Sequence, residues 1–286
     1  MMDPNVETQR AQIHVAEMQR PVAPRRALRI INSRSSNPFF NLAMEEFFIL
    51  SREWGGVPAV LFFYENSDSV VLGKSQQYQR EVYSHKALPP VIRRGSGGGS
   101  VVHFKGNLNY GLLLDLSVYP ELFPIGTSYR AILGAVSRGL FGLSDGLSPP
   151  SLTSHHGLRG GPSGISDIAT TARGASKKIS GNAQLRKRGR LLHHGTLLYD
   201  LKGSNRISYW LRPPGVEPEY RAGRTHRDFM ARVLPLRSRS VVASRVSAAL
   251  GELLGLPLLA QNLSAIEARG IRRSMGEFVT QRKLSS

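Results

Sequence analysis

Arg93-Arg94-Gly95-Ser96-Gly97-Gly98-Gly99-Ser100-Val101-Val102-His103 places three consecutive glycines between two β-rich runs. Val91–Arg94 leads in as a strand and Ser100–Phe104 leads out as another, with no room for a helix between them. Glycines in such a place cost chain entropy and pack nothing. They make sense where another molecule approaches the backbone and exposed N–H groups face an anion. The arginine just before them can fork onto a carboxylate or phosphate. For the glycines alone a flexible hairpin tip fits equally well. With the arginine pair and His103, the anion site is the better reading.

Working outward, strand–turn–strand units dominate. Ala27–Asn32 is a short β-branched run. Asn37-Pro38 then marks a helix start, Asn37 capping and Pro38 in the first turn. Phe40, Met44, Phe47 and Phe48 follow at helical spacing to about Arg52, with Glu45 and Glu46 on the flank. Ala59–Tyr64 and Ser69–Leu72 read as strands, and Asn109–Leu116 as a half-buried one. Thr127–Leu143 reads as a helix and Ser144–Gly164 as a glycine- and histidine-rich loop. Lys178–Arg186 and Leu191–Leu201 flank Lys187-Arg188-Gly189-Arg190, a hairpin signature. After a polar connection holding Pro213, Pro214 and Pro218, Ser238–Leu254 carries an apolar stripe (Val242, Val246, Ala249/Leu250, Leu253) and ends at Gly255. Because hairpins outnumber strand–helix–strand units, the fold class is α+β: a mixed, mainly antiparallel sheet with flanking helices.

Composition excludes several chemistries. The 286 residues contain no cysteine, so disulfides, thiolate metal sites and cysteine nucleophiles are closed. Apolar residues make up 41% in runs too short to span a bilayer, and no signal peptide is visible. Thirty-eight Lys and Arg against twenty Asp and Glu give a formal charge of +18, a field that attracts polyanions. The charge is scattered and not interleaved with aromatics, which argues against nucleic acid.

Gly73-Lys74-Ser75 suggests a phosphate-binding loop, but Asp68 stands where that motif needs its first glycine. The glycines after Arg94 do not fit the dinucleotide pattern. His155-His156 and His193-His194 are adjacent pairs, which point to opposite faces of a strand and chelate poorly. A second segment does suggest chemistry: Asp167-Ile168, then Ser176-Lys177-Lys178-Ile179-Ser180-Gly181-Asn182-Ala183, then His193-His194-Gly195-Thr196-Leu197-Leu198. Lys178 could neutralise a transferring phosphoryl group and the carboxylate attacking it. Asp167 could hold Mg²⁺ through an oxygen. A lysine beside another lysine is most often a solvated charge, so this segment decides nothing alone.

Taken in order, Asn37-Pro38-Phe39-Phe40-Asn41-Leu42-Ala43-Met44-Glu45-Glu46, the Arg93–His103 segment, Asp167, the Lys177–Ala183 segment and the His193–Leu198 segment resemble the lipoate-protein ligase A family. The resemblance runs from about Ala27 to Leu256. It implies the biotin/lipoate protein ligase fold, related to class II synthetases, and ATP-dependent activation of lipoate or octanoate to an acyl-adenylate. Transfer to a lysine of a lipoyl-carrier protein follows, either a lipoyl domain of a 2-oxoacid dehydrogenase or a glycine-cleavage H protein. By motif position Lys178 is the catalytic lysine. Arg94, Ser96, Gly97, Gly98, Gly99 and His103 line the acyl and adenylate pocket. Asp167, Ser180, Gly181, Ala183, Gly195 and Thr196 contact the nucleotide, with Asp167 as the Mg²⁺ ligand. Related acyltransferases that work through a cysteine thioester are excluded here.

The expected organisation is a flexible basic arm over 1–26, a catalytic domain over 27–256, and a short tail over 257–286 without the accessory domain often found in such ligases. The expected location is cytoplasmic, with no membrane partner. A separate accessory subunit, a transferase using preformed lipoyl-adenylate, a biotin ligase, and a non-catalytic acyl-acid or nucleic-acid binding module are the competing readings. Biotin ligases carry a G-R-G-R-x-G-type loop that Arg93–Ser100 does not match.

Overall fold

The computed structural model describes residues 26–51, 54–84, 87–142, 160–172, 175–215, 217–233 and 238–282. Its centre is β2 (Ala59–Tyr64), six residues without a charge and all buried. Such a run belongs to a strand covered on both faces. Ala59, Leu61 and Phe63 face one core, while Val60, Phe62 and Tyr64 face the other. Beside it, β6 (Asn107–Asp115) sends Leu108, Tyr110, Leu112 and Leu114 to the first core and Leu113 to the second. Gly111 pairs with Phe62, and a Cβ there would come within 2.1 Å of the Phe62 ring. Only glycine lets that ring lie across the neighbouring strand.

The remaining strands of this sheet are β1 (Leu28–Asn32), β7 (Gly160–Ser163), β8 (Asp167–Ala172), β9 (Ala175–Lys187), β10 (Arg190–Leu198) and β11 (Leu258–Ala260). The order is β11-β1-β2-β6-β10-β9-β8-β7. β1 runs parallel to both its neighbours, and every other pairing in this sheet is antiparallel. β3 (Ser69–Leu72), β4 (Val91–Arg93) and β5 (Val101–His103) form a second, three-stranded sheet in the order β4-β3-β5. The expected mixed, mainly antiparallel α+β class is what the chain adopts.

Helix α1 (Pro38–Leu50) covers the second core with Met44, Phe48 and Ile49. Asn37 caps it as expected, accepting from Phe39 N at 2.9 Å and Phe40 N at 3.3 Å. The short helix α2 (Tyr78–Glu81) borders the small sheet. On the first core lie α3 (Ile125–Phe141) and α6 (Arg239–Leu254), through Ile132, Val136, Val242, Val246 and Leu250. Gly142 and Gly255 end these two helices at φ +69° and +62°, left-handed positions that glycine occupies without strain. The β9–β10 turn has Arg188 and Gly189 both at positive φ, the backbone that a tight hairpin requires.

Three expectations change. Gly160–Ser163, placed in a loop, is a strand paired with β8; residues 144–159 lie outside the described residues, as does most of the N-terminal arm. The proline-bearing connection folds into α4 (Asn205–Trp210), a 3₁₀ turn (Glu219–Arg221) and α5 (His226–Phe229). The segment after Leu256 is integrated with the sheet. It supplies β11 and α7 (Ala265–Arg282), whose Ile271 is fully buried in the second core.

An ion pair fixes that closure. Arg29 on β1 is 1% exposed and meets Glu267 through two bonds of 2.6 and 2.8 Å. The same carboxylate accepts from Ser264 N while Ser264 Oγ accepts from Glu267 N, a reciprocal cap that starts α7. Burial pushes the Glu267 carboxyl up, but the Arg29 and Ser264 hydrogen bonds outweigh it and hold it below the usual range. A depressed carboxylate stabilises the fold fully above its unfolded value of about 4.3 and loses that contribution as pH falls through the lower folded value. Glu267→Ala leaves Arg29 buried without its partner and is expected to cost about 3–5 kcal/mol in urea unfolding at pH 7. That difference should shrink in acid, below about pH 4.

Candidate active site

A cavity of about 850 Å³ opens between the two sheets. Its floor is β6, β9 and β10, one wall is the Gly98–His103 segment, and the opposite wall is the β7–β8 turn with the Arg212–Met230 stretch. Arg80, Arg94, Lys178, Arg212 and Arg221 line it against only two carboxylates, Glu81 and Asp167. A surface so weighted suits a polyanion.

Arg94 lies on the loop after β4 and is 8% exposed. Its Nε donates to Ser96 Oγ at 2.9 Å, and Nη2 donates to the carbonyls of Gly97 and Gly99 at 2.6 and 2.9 Å. Nη1 reaches only Val71 O, at 3.5 Å, and is the donor left for a ligand. Burial lowers the guanidinium to about 10, against the attraction of Glu45 and Tyr64, so it stays charged at neutral pH. Loop shape follows from this arginine. Gly73 has room only for hydrogen, since a Cβ would fall 2.0 Å from Gly98 O, and Gly98 sits at φ +85°. Arg93 holds the facing loop through the carbonyls of Gly73, Lys74 and Gln76. The glycine run thus turns carbonyls toward Arg94, where the sequence suggested N–H groups turned toward an anion.

Ser96 and Gly97, expected in the pocket lining, fall outside the cavity. Ser96 Oγ is clasped between Arg94 Nε and His194 Nε2, the latter at 2.6 Å. His194 Nδ1 lies 2.6 Å from Glu45 Oε2, and Tyr64 Oη donates to Glu45 Oε1 at 2.9 Å. Burial, then Glu45, raises the Tyr64 phenol well above its usual value. Glu45, expected on the flank of the apolar stripe, is 4% exposed and anchors this chain. His193 and His194 do face opposite sides of β10. His193 meets Tyr110 Oη at 3.2 Å and Gln184 Nε2 at 3.1 Å, and burial lowers it to about 3. His103 is also lowered to about 3, by burial first and then by Arg94 and His194.

Lys178 and Asp167 come together across β8 and β9, Nζ to Oδ1 at 2.8 Å. Tyr220 Oη occupies the other carboxylate oxygen at 2.8 Å, and burial with Asp167 pushes the Tyr220 phenol up. Gly181 makes room for this pair, because a Cβ there would lie 2.9 Å from Lys178 Cε and Nζ. Gly195 makes room for Asn182, whose Oδ1 would otherwise lie 1.9 Å from the added carbon. Asn182 Oδ1 accepts from Tyr110 Oη at 2.6 Å, and Asn182 Nδ2 donates to Ser166 O and Ser180 Oγ. Arg94, Gly98, Gly99, His103, Asp167, Lys178, Ser180, Gly181, Ala183, Gly195 and Thr196 all line the one cavity. Sequence reasoning missed Glu45, His194, Asn182, Tyr220 and His226 as site residues. The first had a signal, a polar residue four after Asn41 on an apolar helix face; Tyr220 and His226 had none.

No group of three or more His, Asp or Glu among the described residues forms a metal cage. Magnesium carried by phosphates needs only one or two protein carboxylates. Asp167 fits that requirement as a single oxygen ligand, once Lys178 turns from it.

Residues 37–252 match the family described as the lipoyl protein ligase A/B catalytic domain, and the chain belongs to it. It is 30% identical over 189 residues to lipoate-protein ligase A of Blochmanniella floridana, a stretch that is 65% of this chain and 49% of that protein. The chain thus spans about half the length of that relative. In fold it is similar to the bi-partite lipoate protein ligase of Thermoplasma acidophilum, described with its E2 lipoyl domain (TM-score 0.68, 21% identity, 88% of this chain and 93% of that one). It is also similar to a lipoate-protein ligase A bound with ATP (TM-score 0.62, 22% identity, 90% and 95% covered).

Gly181→Ala puts a methyl group where the Lys178 ammonium rests. It should push Lys178 Nζ away from Asp167 Oδ1 and open that ion pair, seen in a crystal structure of the variant as a separation beyond about 4 Å. The thermal midpoint should move little, since the clash is with the flexible end of a side chain.

Proposed function

We propose that this chain activates lipoate, or its octanoate analogue, with ATP and passes the acyl group to a lysine of a lipoyl-carrier domain. The observation carrying this reading is the placement of Lys178–Asp167 and Arg94 in the lining of one cavity in a member of this ligase family. In the first half-reaction a carboxylate oxygen of the acid bonds to the α-phosphorus of ATP, and the bond to the bridging oxygen breaks to release pyrophosphate. In the second the amine of a carrier lysine attacks the acyl carbon, loses a proton, and AMP leaves.

Each cavity residue has a part that its surroundings support. Arg94, charged and with Nη1 free of short bonds, orients the acid carboxylate. Lys178 is held next to Asp167 and turns its ammonium to the oxygens that gain charge as the mixed anhydride forms and later breaks. Asp167 would supply an oxygen to magnesium once Lys178 had turned from it, and the ion would neutralise phosphate charge. Ser180, Gly181, Ala183, Gly195 and Thr196 form the small-residue floor on which the nucleotide rests. No protein nucleophile is required, in keeping with the lack of cysteine. The excess of basic residues favours encounter with an acidic carrier domain. No described helix is long and apolar enough to cross a membrane.

The test is incubation with ATP, Mg²⁺ and lipoate, with and without an apo lipoyl domain, reading pyrophosphate release and carrier mass. Carrier gaining one lipoyl unit is the expected result. Lys178→Ala should lower the rate by at least about 10²-fold, the usual scale for removing a group that stabilises transition-state charge. Raising salt from 50 to 300 mM should lower kcat/KM for the carrier more than for lipoate. Pyrophosphate without carrier modification would identify a half enzyme that needs a second subunit; the T. acidophilum ligase is itself described as bi-partite. No turnover with any component would overturn the reading.

A further inference from the structure

A second chain of hydrogen bonds starts one helical turn from Glu45 and ends on His103. Asn41 of α1 is fully buried. Its Nδ2 donates to the backbone carbonyl of Ser35 at 2.8 Å and its Oδ1 accepts from Ser33 Oγ at 2.8 Å. A backbone carbonyl can only accept, so the orientation of the Asn41 amide is fixed. Its second Nδ2 hydrogen goes to Asn66 Oδ1 at 2.8 Å, which fixes the Asn66 amide in turn. Asn66 Nδ2 is then the atom facing His103 Nδ1 at 2.8 Å. An amide nitrogen can only donate, so Nδ1 must be the bare, accepting nitrogen and the ring proton lies on Nε2.

His103 lines the cavity, and its Nε2 has no hydrogen-bond partner among the described residues. We propose that Asn41 and Asn66 are positioning residues that lock His103 as its neutral Nε2–H tautomer, presenting one N–H donor in the cavity to an oxygen of the bound acid or its adenylate. This rests on the ligase reading above. The groups acting on the ring are Arg94, on the loop after β4, and His194 on β10, with Glu45 of α1 and Tyr64 of β2 acting through Arg94. Burial and the Arg94 guanidinium oppose a second proton, so His103 is a donor that keeps its proton. It lowers negative charge on an oxygen without protonating the attacking carboxylate, a use for which a neutral imidazole is suited.

The test is ¹⁵N NMR of histidine-labelled full-length protein, with His103→Gln used to assign the signals, together with pyrophosphate release over pH 5.5–8. Wild type should show His103 neutral, with the proton on Nε2, throughout that range. Asn66→Asp places an acceptor opposite Nδ1 and should move a proton there. Pyrophosphate release should then fall about 10²-fold, the scale for misplacing one preorganised donor, and gain a new titration in the pH range. Asn41→Asp, a link further out, should reverse the Asn66 amide and give the same change of tautomer, and it serves where Asn66→Asp does not fold. A wild-type signal with the proton on Nδ1, or an imidazolium near pH 7, overturns the proposal. So does a variant with altered tautomer whose rate stays within twofold of wild type. Absence of turnover in wild type would instead count against the ligase reading, and the NMR signal still decides the tautomer.

Discussion

A guanidinium removed from water must be surrounded by oxygen acceptors, and the arrangement of one whole wall answers that demand at Arg94. No carboxylate among the described residues touches it. Its acceptors are the carbonyls of Gly97 and Gly99 and the hydroxyl of Ser96. To bring those carbonyls inward the chain must turn tightly, and Gly98 supplies the positive φ. The serine hydroxyl, having accepted from Arg94, stands 2.6 Å from His194 Nε2, and His194 in turn stands against Glu45. Negative charge at Glu45 therefore balances Arg94 at a distance and through oriented dipoles. The guanidinium keeps an unsatisfied edge for a ligand.

The helix that supports this wall has two kinds of buried side chain. Met44, Phe48 and Ile49 pack in the second core, whereas Asn41 and Glu45, four residues apart on the same helix, are hydrogen-bonded to Asn66 and His194. Side chains so spaced share a face. One apolar stripe fixes the helix on the sheet, and the polar pair uses that rigidity to hold two histidines, on different sheets, in set orientations. The small sheet and the large sheet are thereby registered to each other across the cavity.

Much of this was legible in the sequence. Ala59–Tyr64 reads as a strand and is one, while its cover on both faces came only with the two cores. Asn37-Pro38 gave the helix start and Arg188-Gly189 the hairpin. The motif order placed Lys178, Asp167 and Arg94 together. Roles set by contact were not legible. Ser96 lies within the motif, yet whether its hydroxyl faces a ligand or a histidine depends on β10 being one sheet away. Gly181 and Gly195 looked like floor for a nucleotide, and their first duty is to make room for Lys178 and Asn182. Tyr220 comes from a proline-rich stretch with no periodicity, so nothing local marks it as a partner of Asp167.

The pairing of β1 with β11 has a consequence for the order in which the protein is made. Arg29 and Glu267 are 238 residues apart in sequence, and translation proceeds at about 5–20 residues per second. For at least ten seconds or so after β1 leaves the ribosome, its outer edge has no strand beside it and its arginine no carboxylate. Nascent chains with an open edge are open to mispairing with one another. The same long-range closure makes final assembly slow relative to the local hairpins. Synthesis of this protein therefore passes through an interval in which the sheet is mostly formed and still unsealed, when a chaperone has most to protect.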